Sequence, residues 1–163
     1  MNQVTNKIKV IFICMGNICR SPSAQGVFEK HLTKNGLQEN FVIDSAGTHS
    51  YHVGGSPDSR SSKVALDRGI DIQNQKARKI SQEDCEEFDY IVVMDHANHM
   101  NVKMICPKQH QHKIHKIMRF SPSAKYTEVP DPYYGGESGF ELVLDLLENA
   151  SIGLLKHIQL THD

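Results

Sequence analysis

The stretch Cys14-Met15-Gly16-Asn17-Ile18-Cys19-Arg20-Ser21-Pro22 constrains this chain more than any other. It follows the apolar run Ile8 to Ile13, which reads as a buried strand. It leads into a segment whose Ala24, Val27, Phe28 and Leu32 recur on one helical face, with Gly36 as the stop. A strand, a tight glycine-containing loop and a helix are therefore joined here, with Ser21 expected at the N-cap and Pro22 at the first helical position. Five residues separate Cys14 from Arg20, a spacing suited to a loop that holds an oxyanion. Backbone N–H groups of such a turn point inward, and a helix N-terminus adds positive potential. An anion in the loop would have Cys14 beneath it and the Arg20 fork on two of its oxygens. A cysteine sulfur under a phosphoryl group is placed as a nucleophile, so the spacing proposes phosphoryl transfer through Cys14.

The rest of the chain alternates strand and helix. Phe41-Val42-Ile43 reads as a second strand running into Asp44-Ser45-Ala46-Gly47, followed by a His- and Gly-rich loop from Thr48 to Ser56. Ser56-Pro57-Asp58 opens a helix that Gly69 closes, and Ser81 caps a short helix through Phe88. Tyr90 to Met94 is a third buried strand, Asp95 starts another helix, and Lys113 to Met118 is a fourth strand. After a polar loop containing Pro130-Asp131-Pro132-Tyr133-Tyr134-Gly135-Gly136, Ser138 and Glu141 are expected to form a capping box. The helix they open has Phe140, Val143, Leu144, Leu147, Leu154 and Ile158 on one face. Such alternation argues an α/β fold, a parallel sheet covered on both faces, with the ligand beyond the carboxyl ends of the strands. No repeat or linker interrupts it, so residues 1–163 form one domain with a core over about 7–160.

Composition bounds the partners. The formal net charge of −1 predicts no general attraction to nucleic acid or to a membrane surface. No segment reaches the apolar length of a membrane helix, and Met1 to Lys9 lacks a signal peptide's apolar core, so a cytoplasmic protein is expected. The four cysteines are accordingly expected as reduced thiols. His110, His112 and His115 lie in a Lys/Gln-rich segment without cysteine or carboxylate at ligand spacing, and read as a solvated loop. Cys14 and Cys19 lack the second cysteine pair of a structural zinc site. No metal and no cofactor are expected.

Each candidate has a plainer alternative. Cys14 as a small core residue would not need to leave a strand into a loop ending in arginine. Arg20 as a surface charge would repel a helix N-terminus, which makes sense once an anion fills the loop. Asn17 is suited to left-handed backbone angles and to bracing the loop through its amide. Ser21 can serve as an N-cap, or donate its hydroxyl to the Cys14 sulfur, or both. Phosphoryl transfer also needs an acid for the departing oxygen, and Asp131, held between Pro130 and Pro132, is the candidate. Taken alone, an Asp-Pro pair is ordinary turn chemistry.

These elements together resemble the low-molecular-weight protein tyrosine phosphatases. The resemblance rests on the Cys14–Pro22 loop, on Asp44-Ser45-Ala46-Gly47 and on Asp131-Pro132-Tyr133-Tyr134, in family order through most of the chain. It implies a three-layer domain with a four-stranded parallel sheet flanked by helices and the phosphate loop after the first strand. It further implies a phosphocysteine on Cys14, phosphoryl oxygens bound by Arg20, and Asp131 protonating the tyrosyl oxygen and then activating water. Asn17, Ser21 and Ser45 would support the loop. Met15, Gly16, Asn17, Ile18, Cys19 and Arg20 would surround the phosphate, with Tyr51, Tyr133 and Tyr134 as aromatic walls for a phenyl ring. Cys14 and Cys19 would form a redox pair. The implied partners are phosphotyrosine-containing proteins, met by a monomer. One departure is visible: similar enzymes often have a histidine where Gln75 precedes Lys76-Ala77-Arg78, and an amide there is expected to donate to Asn17 instead.

Three other activities compete. An arsenate reductase of the same fold needs two further cysteines close together, whereas Cys85 and Cys106 are far apart in sequence. A protein arginine phosphatase has threonine where this chain has Ile18. A silent phosphotyrosine reader would not need Cys14, Arg20 and Asp131 all present.

Overall fold

The computed structural model describes residues 6–122, 125–133 and 137–162. Among them are four parallel strands, β1 (Ile8–Cys14), β2 (Phe41–Gly47), β3 (Tyr90–Val93) and β4 (Ile114–Lys116), in the order β2-β1-β3-β4. The helices are α1 (Arg20–Lys34), α2 (Ser59–Asp67), α3 (Gln82–Glu87), α4 (His96–Ile105) and α5 (Glu137–Thr161). The single-layer sheet between two helical layers matches the expected α/β architecture.

Side chains of a strand alternate between faces, and β1 shows why its sequence is apolar from Val10 to Cys14. Val10, Phe12 and Cys14 enter one core with Phe28 and Leu32 of α1 and Leu144 and Leu147 of α5. Ile11 and Ile13 enter the opposite core with Phe88, Cys85 of α3 and Val102 of α4. From Val10 onward both faces of β1 are therefore buried, and the strand's polar residue, Lys9, falls at its half-buried start. The chain runs outward from β1 to β2, then returns past β1 to β3. Connections at the carboxyl ends of β1 and β3 diverge, which opens a crevice between them.

Several helix ends follow their local signals. Asp58 caps α2, Ser81 caps α3 and Asp95 caps α4, the last two in capping boxes with Asp84 and Asn98. Others differ from the sequence expectation. α1 begins at Arg20 with Cys19 at its N-cap, so Ser21 is the second helical residue and not the cap. Pro22 is then third, still among the first four positions whose N–H groups have no intrahelical partner. The box expected at Ser138 and Glu141 does not form: the helix already includes Glu137, and the Glu141 carboxylate instead takes Arg68 Nη2 at 2.5 Å. β4 is shorter than Lys113 to Met118, because Ile117–Phe120 tightens into a 3-10 turn.

The expectation of four reduced thiols is also corrected, since Cys85 and Cys106 are joined as a disulfide with Cα atoms 5.6 Å apart. α3 precedes β3 and α4 follows it, both covering the same face, so one crossover returns the chain to within bridging reach. His115 departs from the solvated-loop reading too. It packs on Tyr90, Phe120 and His157, and burial, with Arg119, His157 and His112 adding to it, pushes its pKa down to about 4. Among the described residues no helix is long and apolar enough to cross a membrane.

Candidate active site

The carboxyl end of β1 delivers Cys14 to the crevice. Its sulfur is met by the Asn17 N–H at 3.3 Å and by the Ser21 hydroxyl at 3.0 Å. Asn17 takes a left-handed conformation (φ 58°), tolerated because its amide is fully engaged. The Nδ2 group donates to Ser21 Oγ at 2.8 Å and to Ser45 Oγ at 3.0 Å, while Oδ1 accepts from the Arg78 N–H at 3.0 Å. Because Ser21 Oγ accepts from Asn17, its own hydrogen is free to turn to the Cys14 sulfur or to the Ala46 carbonyl at 3.4 Å. The oxygen read as an N-cap is thus spent inside the loop. α1 opens without a side-chain cap and without an acidic residue in its first turn. Its leading N–H groups are available to a ligand.

Gln75 braces this network at one remove. Its Nε2 donates to the Pro22 carbonyl at 3.0 Å and its Oε1 faces Ser45 Oγ at 3.4 Å. The expected donation to Asn17 is not made, because Ser45 stands between the two amides. Gly47 closes the other side: a Cβ there would lie 2.7 Å from the Met15 carbonyl oxygen, too close for any side chain. The Thr48 and His49 N–H groups continue the seam, donating to the Cys14 and Met15 carbonyls at 2.9 and 3.0 Å.

Arg20 is 3 % exposed, and its partners explain how a guanidinium is kept there. Nη1 donates to Asp95 Oδ2 at 2.6 Å and to the Val129 carbonyl at 3.0 Å, while Nη2 lies 3.7 Å from Asp131 Oδ2. Burial alone would lower its pKa. The Cys14 charge, the hydrogen bond and charge of Asp95 and the Asp131 charge outweigh that, raising it above the ordinary arginine value. From the sequence alone Asp95 signals only a helix start. It leaves β3 as Cys14 leaves β1, which is the signal that could have placed it beside the loop. Asp131 is partly exposed, and its Oδ1 accepts from the Tyr133 N–H at 3.0 Å.

These groups line a cavity of about 220 Å³. Its floor and lower wall are Cys14, Met15, Gly16, Ile18, Cys19 and Arg20; its mouth is Tyr51, His52, Asp131 and Tyr133. Asn17 lies behind the lining and not on it, and Ser21 and Ser45 stand behind the loop with it. Tyr51 is 70 % exposed, with its ring stacked on His49 at 5.2 Å between centroids. His52, which carries no local sequence signal for the site, tilts toward Tyr133 with ring centroids 6.1 Å apart. Tyr134 lies outside the described residues. Cys19 is free and buried. Burial pushes its thiol up to about 12, against a hydrogen bond with Ser61, and the charges of Asp58, Cys14 and Asp131 add to the rise. The Cys85–Cys106 bond belongs to the core across the sheet from Cys14, away from any relay with it. Among the described residues no three His, Cys, Asp or Glu side chains converge as a metal-ligand set.

Residues 9–162 match the family described as low molecular weight phosphotyrosine protein phosphatase. A low molecular weight phosphotyrosine protein phosphatase of Schizosaccharomyces pombe is 40% identical over 156 residues, covering 95% of this chain and 99% of the relative. The crystal structure of a protein tyrosine phosphatase from Entamoeba histolytica, with Hepes in its active site, superposes with a TM-score of 0.91. It is 44% identical and the match covers 94% of this chain and 97% of that one. YfkJ of Bacillus subtilis superposes with a TM-score of 0.92 at 32% identity, over 99% and 100% of the two chains.

Proposed function

The chain belongs to the low molecular weight phosphotyrosine protein phosphatase family, and on that premise we propose that it hydrolyses phosphotyrosine in proteins, and other aryl phosphates, through a phosphocysteine. One observation carries the reading: Cys14, Arg20 and Asp131 border a single cavity whose mouth bears the rings of Tyr51 and Tyr133. With its phenyl ring between those rings, the substrate's phosphoryl group sits on the loop N–H groups and the α1 N-terminus. Asp95 and the Val129 carbonyl hold one arm of Arg20, which fixes the guanidinium before the anion arrives. The Cys14 sulfur attacks phosphorus in line. The bond to the phenolic oxygen breaks and Asp131 supplies the proton that oxygen needs. Water then attacks the phosphocysteine with Asp131, now ionised, as base. One chain supplies nucleophile, clamp and acid, which supports a monomer. A reduced Cys14 suits the cytoplasm, and the Cys85–Cys106 bond is the feature that points the other way.

Because protein side chains supply all three roles, p-nitrophenyl phosphate and a phosphotyrosyl peptide should turn over unchanged in excess chelator. Loss of activity that a divalent metal restores would overturn the mechanism.

Cys19 is assigned the role of resolving an oxidised Cys14. Peroxide converts the Cys14 thiolate to a sulfenic acid. The Cys19 sulfur then displaces hydroxide, which leaves as water, and forms a disulfide. Burial, the largest cause of the high Cys19 pKa, opposes this step, and the Cys19 proton leaves with the displaced hydroxide as water. After inactivation by peroxide and addition of thiol, wild type should recover most activity and Cys19→Ser much less. Equal recovery in both would leave Cys19 as packing under the loop.

A further inference from the structure

Arg60 stands outside the cavity, yet it joins the two loops that the proposed chemistry brings together. On one side, the Asp58 N–H at the start of α2 donates to the Ile18 carbonyl of the phosphate loop at 2.8 Å. The Asp58 carboxylate is gripped by Arg60, Nε to Oδ1 at 3.0 Å and Nη2 to Oδ2 at 2.9 Å, a two-pronged geometry that fixes the guanidinium plane. On the other side, Arg60 Nη2 donates to the Tyr133 carbonyl at 3.2 Å. The same guanidinium lies over the Tyr133 ring at 5.5 Å and the Phe140 ring at 4.7 Å. Tyr133 in turn gives its N–H to Asp131 Oδ1 at 3.0 Å. The route Ile18–Asp58–Arg60–Tyr133–Asp131 is thus a continuous strap from the phosphate loop to the acid.

Resting on the phosphatase reading above, we infer that Arg60 is a positioning residue for Asp131, holding its carboxyl at the distance from the phosphate loop that proton delivery requires. Arg60 is itself exposed while its partner Asp58 is largely covered, and a pair with one solvated member contributes only modestly to stability. A purely structural role would therefore show no loss on substitution, or the same loss for every substrate. A positioning role is selective. The acid matters most when the departing phenol is weakly acidic, and hardly at all when it leaves readily as an anion. Misplacing a group by a fraction of an ångström to an ångström costs on the order of tenfold to a hundredfold.

The test compares R60M and R60K with wild type in kcat/KM, which reports only the steps up to phosphocysteine formation. The substrates are phenyl phosphate and a dinitrophenyl phosphate, with inorganic phosphate as competitive inhibitor. R60M should lose about tenfold on phenyl phosphate, and less than about twofold on the dinitrophenyl ester. Its inhibition by inorganic phosphate should be unchanged. In an Asp131→Asn background R60M should add nothing on either ester, because the strap then positions no acid. R60K keeps a cation near the rings but cannot reach the Asp58 carboxylate and the Tyr133 carbonyl together, so it should show the same selectivity in milder form. That arm carries the comparison if R60M folds poorly. Equal losses on both esters, a further loss in the Asp131→Asn background, or full kcat/KM of R60M on phenyl phosphate would each overturn the assignment. A wild type that turns over neither ester would overturn the phosphatase reading and the assignment with it, and would be recognised before any variant is measured.

Discussion

Cys14→Ser abolishes turnover of aryl phosphates, with a loss of at least on the order of 10⁴-fold, while inorganic phosphate still binds with nearly wild-type affinity. The split follows from how the site is made. Phosphate affinity comes from the loop N–H groups, the α1 N-terminus and the Arg20 fork, none of which includes the sulfur. Arg20 owes its place to Asp95 and the Val129 carbonyl, both of which survive the substitution. Asn17 and Ser21 hold each other and Ser45 independently of Cys14, so the loop keeps its shape. What is lost is a polarisable thiolate, replaced by a hydroxyl that is a weak nucleophile near neutral pH. Calorimetry with phosphate and steady-state assays on one preparation check both halves. Residual activity above roughly one per cent would place the nucleophile elsewhere, since removing a true nucleophile costs far more than about a hundredfold.

Much of this site could be read before any coordinates. The Ile8 to Ile13 run and the loop from Cys14 to Arg20 are contiguous, and contiguous patterns survive folding. Capping by Asp58, Ser81 and Asp95 is likewise local, decided within three residues. What escaped was contact across sequence. Asp95 meets Arg20 from 75 residues away because β3 lies beside β1, a fact of strand order and not of spacing. Cys85 and Cys106 meet because α3 and α4 share a face. Arg60 touches Tyr133 across 73 residues, again without a local trace. Ser21 shows the complementary failure. Its local signal for an N-cap was real, but a sulfur and an amide nearby offered its oxygen stronger use. Local propensity yields where a functional loop competes for the same atom.

Asp131→Asn should lower kcat/KM for phosphotyrosine by about a hundred- to ten-thousand-fold, the usual worth of a general acid. Its carboxyl stands at the cavity mouth, anchored through Oδ1 to the Tyr133 N–H and facing Arg20 through Oδ2 at 3.7 Å. The amide of Asn is nearly isosteric and its oxygen can keep the Tyr133 contact, so geometry should persist while the transferable proton is lost. Phosphate binding should therefore change little. Removing the carboxylate also removes one of the charges that raise the Arg20 pKa. Asp95 and Cys14 remain, so Arg20 keeps its charge and the clamp stays in place. The loss must then track the leaving group, being largest for tyrosyl phosphate and smallest for nitrophenols, which depart without a proton. Hydrolysis of the phosphocysteine slows as well, because the same carboxylate activates water. With the readiest leaving groups, an initial burst of phenol equal to the enzyme present should precede a slower steady rate. Rapid-mixing measurements on both variant and wild type test this. A fall of no more than about twofold on phosphotyrosine, far below the range expected of an acid, would remove Asp131 from that role.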